Sequence, residues 1–334
     1  MRLILFNRFQ YGGETGHILS LARFIKEAGF QPFLVFAGYP NSFAQKYRNY
    51  LQGLNRFFIK TNEEFALLIH SLRPSLLHTH SPADFHFSAL LASNYRLRWL
   101  ATVHEGVVVN EKIIRELQTA QFIICTGPTA FAVLKTLGER VVLLPEGIDL
   151  KRCFPGEKGE LLTITFAGKV EQKNAHAFNA LCKAIDLLER RCFRVIANVK
   201  PSSFNAHYAG WLPSACHLLA EGDIVVGSGR FVLEGLACGN AALVLGQKNS
   251  GLLGPENFTF PLDLSGLSGK EPCYREIFFA LGDLYTDRHK LRRLQSQGRR
   301  YACENHDQRL IGEKTAELYR RALDSRPAAA HDLS

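Results

Sequence analysis

Residues 222–246 read GDIVVGSGRFVLEGLACGNAALVLG, and this stretch decides the fold. Residues 223–226 are a short apolar run with β-branched side chains, the pattern of a strand buried on both faces. Gly227, Ser228 and Gly229 then allow a sharp turn, because glycine reaches backbone angles that other residues avoid. Phe231, Leu233, Leu236 and Ala237 recur at helical spacing, and Gly239 stands where a glycine ends a helix. Residues 241–245 read as the next strand. Strand, glycine turn, helix and strand in that order make a crossover unit of a parallel sheet.

A helix that opens directly after a glycine turn aims free N–H groups and a positive dipole end above the sheet, which suits a phosphate. Arg230 adds a fork of donors at the same end. Glu234, one turn further on, is placed to accept hydrogen bonds from a ribose diol. These residues read as a nucleotide-diphosphate site, although an ordinary crossover with a tight turn reads from them equally well.

The same alternation runs outward in both directions. In the first half, residues 3–6 are a strand, residues 11–17 a glycine loop, residues 18–28 a helix and residues 31–37 a strand. Gly12 and Gly13 let a ligand approach the backbone closely, but Gly12-Gly13-x-x-Gly16 is not the Gly-x-Gly-x-x-Gly fingerprint of nicotinamide enzymes. Strands over 76–80 and 99–104 bring His78, His80 and His104 to the carboxyl edge of the sheet, where open parallel sheets bind ligands. No zinc-ligand framework surrounds them. A helix is expected over 88–93. A strand at 122–126, a helix at 128–137 and a strand at 141–145 complete this half, and residues 149–159 read as a linker.

The second half restarts with a strand at 162–167. Lys169 and Lys173 follow in a polar loop at that strand's carboxyl end, placed to neutralise a diphosphate. A helix at 175–190 and a strand at 193–197 precede the opening stretch. Residues 251–257 are one more loop. Helices at 275–284, 287–303 and 308–323 close the chain before a frayed tail at 326–334.

Composition bounds the class. A chain of 334 residues exceeds one usual core, so two domains are expected. A hydrophobic fraction of 46% with 21% charged residues is ordinary for a soluble protein. No apolar run reaches the roughly 18 residues that span a bilayer, and the amino terminus reads as a buried strand rather than a signal peptide. The eight cysteines are scattered without a Cys-x-x-Cys pair, which predicts reduced thiols in a cytoplasmic protein. The formal charge of +9 is spread without a concentrated basic run, so no nucleic-acid partner is expected. Nucleotide substrates or an acidic membrane surface match its sign. Residues 43–60 mix Lys46, Arg48, Arg56 and Lys60 with Phe43, Tyr47, Tyr50, Phe57 and Phe58. That mixture reads as a peripheral contact with an anionic membrane, or as a solvated helix with a buried aromatic face.

Taken in order, several pieces resemble the retaining family 4 glycosyltransferases of GT-B fold. They are Gly12-Gly13 with Glu14 and His17, Val103-His104, residues 145–149 with Phe154-Pro155, residues 166–169, Lys173-Asn174, and residues 223–239. The resemblance implies an α/β protein of two Rossmann-like domains with parallel sheets facing across a cleft. Residues 1–153 would form the acceptor-side domain and 154–305 the nucleotide-sugar domain. Residues 306–334 would be a carboxyl-terminal helix, packing back on the first domain, and the tail.

By the same resemblance, Glu234 is the ribose-binding glutamate that ends the Glu-x7-Glu motif. Gly12 and Gly13 abut the donor diphosphate, and Lys173 is the phosphate-binding lysine. Lys169 stands where arginine is usual, and His104 lies near donor sugar and acceptor. Apart from the resemblance, Ser228, Gly229 and Arg230 at the turn and helix start are expected to line the donor site, Ser228 and Arg230 with contacts to phosphate or sugar that replace those of the missing first glutamate. Lys169 and Lys173 would act electrostatically on a leaving diphosphate, and His104 would be the catalytic residue beside the sugar and acceptor.

Two departures stand out. Val226 occupies the position of the first motif glutamate, and Glu146 replaces the asparagine of the usual Pro-Asn-Gly. The expected activity is transfer of a hexosyl or N-acetylhexosaminyl group from a UDP- or GDP-sugar to a glycan, lipid or small molecule, without cofactor or metal. This fits the building of a cell envelope or polysaccharide. The alternatives are a GT-B-like binding protein without turnover, and a nucleotide-sugar epimerase leaning on Glu14, Glu105 and Glu146.

Overall fold

The computed structural model describes residues 1–9, 12–38 and 47–325. The chain divides into two compact units, Met1–Gly147 with Gln308–Ser334, and Ile148–Asp307. The residues read as a linker, 149–159, are counted with the second unit.

The first unit begins β1 (Arg2–Arg8), α1 (Gly13–Glu27), β2 (Gln31–Ala37), α2 (Arg48–Leu51), β3 (Asn55–Ile59), α3 (Asn62–Leu72) and β4 (Leu76–Thr79). It continues α4 (Phe85–Tyr95), β5 (Arg98–Val103), α5 (Glu111–Glu116), β6 (Phe122–Cys125), α6 (Pro128–Leu134) and β7 (Val141–Leu143). Its seven strands form one sheet in the order β3-β2-β1-β4-β5-β6-β7. Every adjacent pair is parallel. The central strands are almost uniformly apolar because helices cover both faces, and Ile4, Leu34, Leu77 and Leu100 are fully buried. The carboxyl-terminal helix, Gln308–Asp324, packs on this unit. Its Tyr319 hydroxyl meets His78 Nδ1 at 2.6 Å, and Phe24 of α1 lies against Gly312.

The second unit has β8 (Leu162–Ala167), α7 (Ala175–Asp186), β9 (Arg191–Ile196), β10 (Ala206–Tyr208), α8 (Cys216–Ala220), β11 (Ile224–Gly227), α9 (Arg230–Ala237) and β12 (Ala241–Leu245). These are followed by β13 (Asn249–Leu252), α10 (Tyr274–Thr286) and α11 (Arg288–Asn305). The sheet order is β10-β9-β8-β11-β12-β13, parallel except for the antiparallel edge strand β13. α9 ends as its sequence predicts. Gly239 takes φ 74°, its N–H donates to Leu236 O, and Asn240 N–H donates to Gly235 O. This pair of bonds satisfies the last carbonyls of the helix.

Several expectations need correction. The basic-aromatic stretch is no single helix: Arg56, Phe57 and Phe58 lie on edge strand β3, where β-forming aromatics pair with β2. Phe43 and Lys46 lie outside the described residues, as do Tyr11 and the tail 326–334. The loop read at residues 251–257 begins within β13, whose Ser and Gly residues carry no apolar pattern. The thiols are not all reduced, because Cys153 and Cys216 form a disulfide across a sequence separation of 63. Sequence spacing was a poor guide there, since the sheet order folds distant segments together.

Candidate functional site

In the second unit, β8 and β11 are neighbours, with Ala167 in register with Gly227. The loops that follow them therefore leave the sheet side by side. A Cβ on Gly227 (φ 157°) would lie 2.3 Å from Ala167 O, so only glycine allows the two strand ends to approach so closely. Gly229 turns the chain with φ 61° and ψ −136° and caps α9. The chain thus enters the helix abruptly, with its first amides at the carboxyl edge of the sheet.

On the β8 loop, Lys169 Nζ lies 2.6 Å from Glu171 Oε1 and Lys173 Nζ 3.4 Å from Glu171 Oε2. Glu171 gathers the two lysines, and its carboxyl is held below the usual range by hydrogen bonding to Lys169. On α9, Arg230 Nε donates to Glu234 Oε1 at 3.2 Å. Glu234 Oε2 accepts the backbone N–H of Ala215 at 3.3 Å. Burial raises the Glu234 carboxyl, and Arg230, the Ala215 amide and Arg152 pull the other way. Arg230 is therefore turned along the helix to the carboxylate, whereas the sequence reading pointed its donors at a phosphate. The i,i+4 spacing of Arg230 and Glu234 is that of side chains that meet on one helix face.

Val226 is fully buried within β11. It pairs with Phe166 on one side and Leu243 on the other. The position of the missing first glutamate is thus a core strand position, and the turn Gly227-Ser228-Gly229 follows directly.

In the first unit, Gly12 (φ 148°) caps α1 and has nothing within 4 Å of where its Cβ would stand. Gly13 opens the helix and Glu14 lies in its first turn. Buried histidines collect at the carboxyl edge. Ring centroids separate His17 from His104 by 5.2 Å, His17 from His80 by 5.5 Å and His78 from His80 by 4.1 Å. His104 Nδ1 donates to Glu146 Oε1 at 2.9 Å. Glu146, the residue that departs from the usual Pro-Asn-Gly, thereby fixes the ring that the sequence singled out. Burial, then the neighbouring histidines, push His78 and His80 well below the usual histidine range. The ring nitrogens of His80 and the side-chain amide of Asn7 are buried without a hydrogen-bond partner among the described residues. Asn7 is the last residue but one of β1 and His80 follows β4, the two strands between which the sheet order reverses. That is the switch point where α/β sheets receive ligands. Asn7 escaped the sequence reading because a lone asparagine in an apolar strand carries no motif.

Among the described residues, no helix is long and apolar enough to cross a membrane.

Both units are α/β with sheets that are parallel but for the edge strand β13, the candidate groups lie at their carboxyl edges, and the fold is that of the GT-B glycosyltransferases. Residues 11–152 match the family described as Glycosyltransferase Family 4, which supports the resemblance drawn from the sequence. No curated protein matches the chain. Among solved structures, it is similar to HepE of Anabaena in complex with UDP and glucose, at 11% identity and a TM-score of 0.73, over 96% of this chain and 100% of that one. Sucrose-phosphate synthase of Thermosynechococcus elongatus is similar at 14% identity and a TM-score of 0.72, over 96% and 98%. UDP-GlcNAc 2-epimerase of Neisseria meningitidis, bound to UDP-GlcNAc, is similar at 11% identity and a TM-score of 0.66, over 96% and 100%. At these identities the likeness is one of fold.

Proposed function

We propose that the protein is a retaining glycosyltransferase whose second unit holds a nucleoside-diphosphate sugar. The observation that carries this reading is the buried Glu234, held by Arg230 and the Ala215 amide beside the glycine-turned start of α9. A carboxylate offers about four acceptor sites, so two remain for a ribose diol. Lys169 and Lys173, on the adjacent strand end, neutralise the diphosphate, and Gly12 and Gly13 allow close approach of the donor. The lysines and the helix terminus stabilise charge as the anomeric bond breaks, with no metal needed. Ser228 and Gly229 complete the donor side.

Asn7, His80 and His104 belong to the acceptor side, and His104 is oriented by Glu146. The transferred group is a hexosyl or N-acetylhexosaminyl unit from a UDP- or GDP-sugar. The acceptor is a glycan, lipid or small molecule of an envelope or polysaccharide, reached from the cytoplasm with peripheral contact to an anionic membrane.

A second reading is favoured by the His104–Glu146 pair, which is an acid–base couple suited to an epimerase. A core valine in place of the first glutamate favours binding without turnover. A thermal-shift panel of UDP, GDP, ADP and their sugars without metal, followed by product analysis, separates the three. Stabilisation by one diphosphate series with slow release of free sugar in the same anomeric form supports transfer. An isomerised sugar on an intact diphosphate supports the epimerase. Binding with neither product supports the non-catalytic reading, and no shift with any nucleotide overturns the donor site. A ligand at about 100 times its Kd adds about 2.7 kcal/mol, a readily measured shift.

A further inference from the structure

The second unit holds three buried cysteines whose sulfurs all lie within 4.8 Å of one another: Cys153, Cys216 and Cys238. The disulfide joins two of them. The third, Cys238 at the end of α9, makes a long S–H contact to Cys216 O at 3.5 Å. Burial pushes its thiol up to about 12. Such a thiol is a poor nucleophile, but a metal ion can displace its proton, because a bound soft cation favours the thiolate outright.

We propose that the trio, once reduced, is a binding site for a soft divalent cation of the zinc and cadmium class.

The geometry needs little change. Sulfurs about 2.3 Å from one tetrahedral zinc stand about 3.8 Å from each other. Cys238 is already within reach of both partners, so only the bonded pair has to part. The electrostatics agree. Three thiolates around a divalent ion leave one negative charge, and two cations stand beside it. Arg299 Nη1 donates to Cys153 O at 2.9 Å, and Lys158 Nζ donates to Gly239 O at 3.1 Å. Both lie close enough to act on the Cys238 sulfur. Segments from three parts of the unit would be tied by one ion where the disulfide ties two. Arg152 and Ala215, each next to a trio cysteine, both act on Glu234, so the site adjoins the donor carboxylate without sharing a residue with it.

The chemistry balances. A dithiol reductant delivers two electrons and two protons to the Cys153–Cys216 bond and leaves as its own cyclic disulfide. The cation then binds three thiolates and releases three protons.

The test uses the full-length chain, reduced with a dithiol, freed of reductant under anaerobic conditions and titrated with cadmium while the thiolate-to-cadmium charge-transfer absorbance is read. The expected result is one ion per chain, with no such band in the oxidised chain. Cys238→Ser should weaken binding by at least about tenfold, the scale on which even outer-shell changes act at metal sites. Cys182→Ser, outside the trio, should leave it unchanged. Cys153→Ser serves as a second ligand variant should Cys238→Ser fail to fold, with circular dichroism of each ion-free reduced variant as the folding control. A missing band in the reduced chain, equal binding by the oxidised chain, or a titration unmoved by a folded ligand variant would overturn the proposal.

Discussion

Arg230 and Glu234 are paired along one face of α9, Nε to Oε1 at 3.2 Å, with side chains only 7% and 5% exposed. Removing one member leaves the other charged and buried. Arg230→Ala should therefore destabilise the second unit by about 3 kcal/mol or more. Arg230→Lys should recover only part of this, since a terminal ammonium does not reproduce the Nε–H donor that meets Oε1. Denaturant melts of the three proteins check the order. An Arg230→Ala protein as stable as the parent would mean that the pair is not formed.

The lysine loop supports the opposite kind of change. Glu171 competes with a diphosphate for Lys169 and Lys173, and all three side chains are at least a third exposed. Screening keeps such contacts to about 0.5–1 kcal/mol, so Glu171→Gln should tighten nucleoside-diphosphate binding about two- to fivefold. Lys173→Ala should weaken it. Isothermal titration of both variants reads the signs, and weaker binding by Glu171→Gln would make the carboxylate an organiser rather than a competitor.

The two turn glycines should behave differently. Gly227→Ala places a methyl against a backbone oxygen at 2.3 Å, a clash that can be relieved only by parting β8 from β11. A loss of about 3 kcal/mol or more is expected, with poor recovery of folded protein. At Gly229 the space is open and only the backbone angle resists, so Gly229→Ala should cost about 1–3 kcal/mol. Equal effects in thermal melts would contradict this local geometry.

His78 and His80 set a pH dependence. Their folded-state affinities for protons are lowered by burial, so the unfolded chain binds more protons. Stability is then complete above the unfolded value of about 6.5 and declines as pH falls below it, toward the folded values. Each such histidine contributes a slope of up to about 1.4 kcal/mol per pH unit. Urea melts from pH 7.5 to 5.5 should show the decline, and His80→Gln should flatten it. An unchanged slope in that variant would remove His80 from the account.

Much of the architecture was legible because a parallel sheet writes itself as apolar runs. β1, β2, β8, β11 and β12 read directly from their side chains, and the glycines at 227, 229 and 239 marked the turn and stop of α9. β13 was not legible, because an antiparallel edge strand of Asn, Ser, Gly and Leu carries no such run. β10 was missed for the same lack of pattern. At the site, Glu234 and Arg230 were visible, but their engagement with each other was not drawn from the spacing. The Ala215 amide could not be seen at all, since a backbone donor has no residue type. The meeting of Cys153 with Cys216 and Cys238 is a product of sheet order, which local sequence does not state.

The carboxyl-terminal helix has a consequence for how the chain is made. It belongs to the first unit, where Tyr319 closes the Nδ1 of His78. The intervening 148–307 unit is continuous and can fold as it emerges from the ribosome. The first unit is therefore completed by a segment that follows the whole of the second in sequence, and His78 takes its Tyr319 partner from that segment.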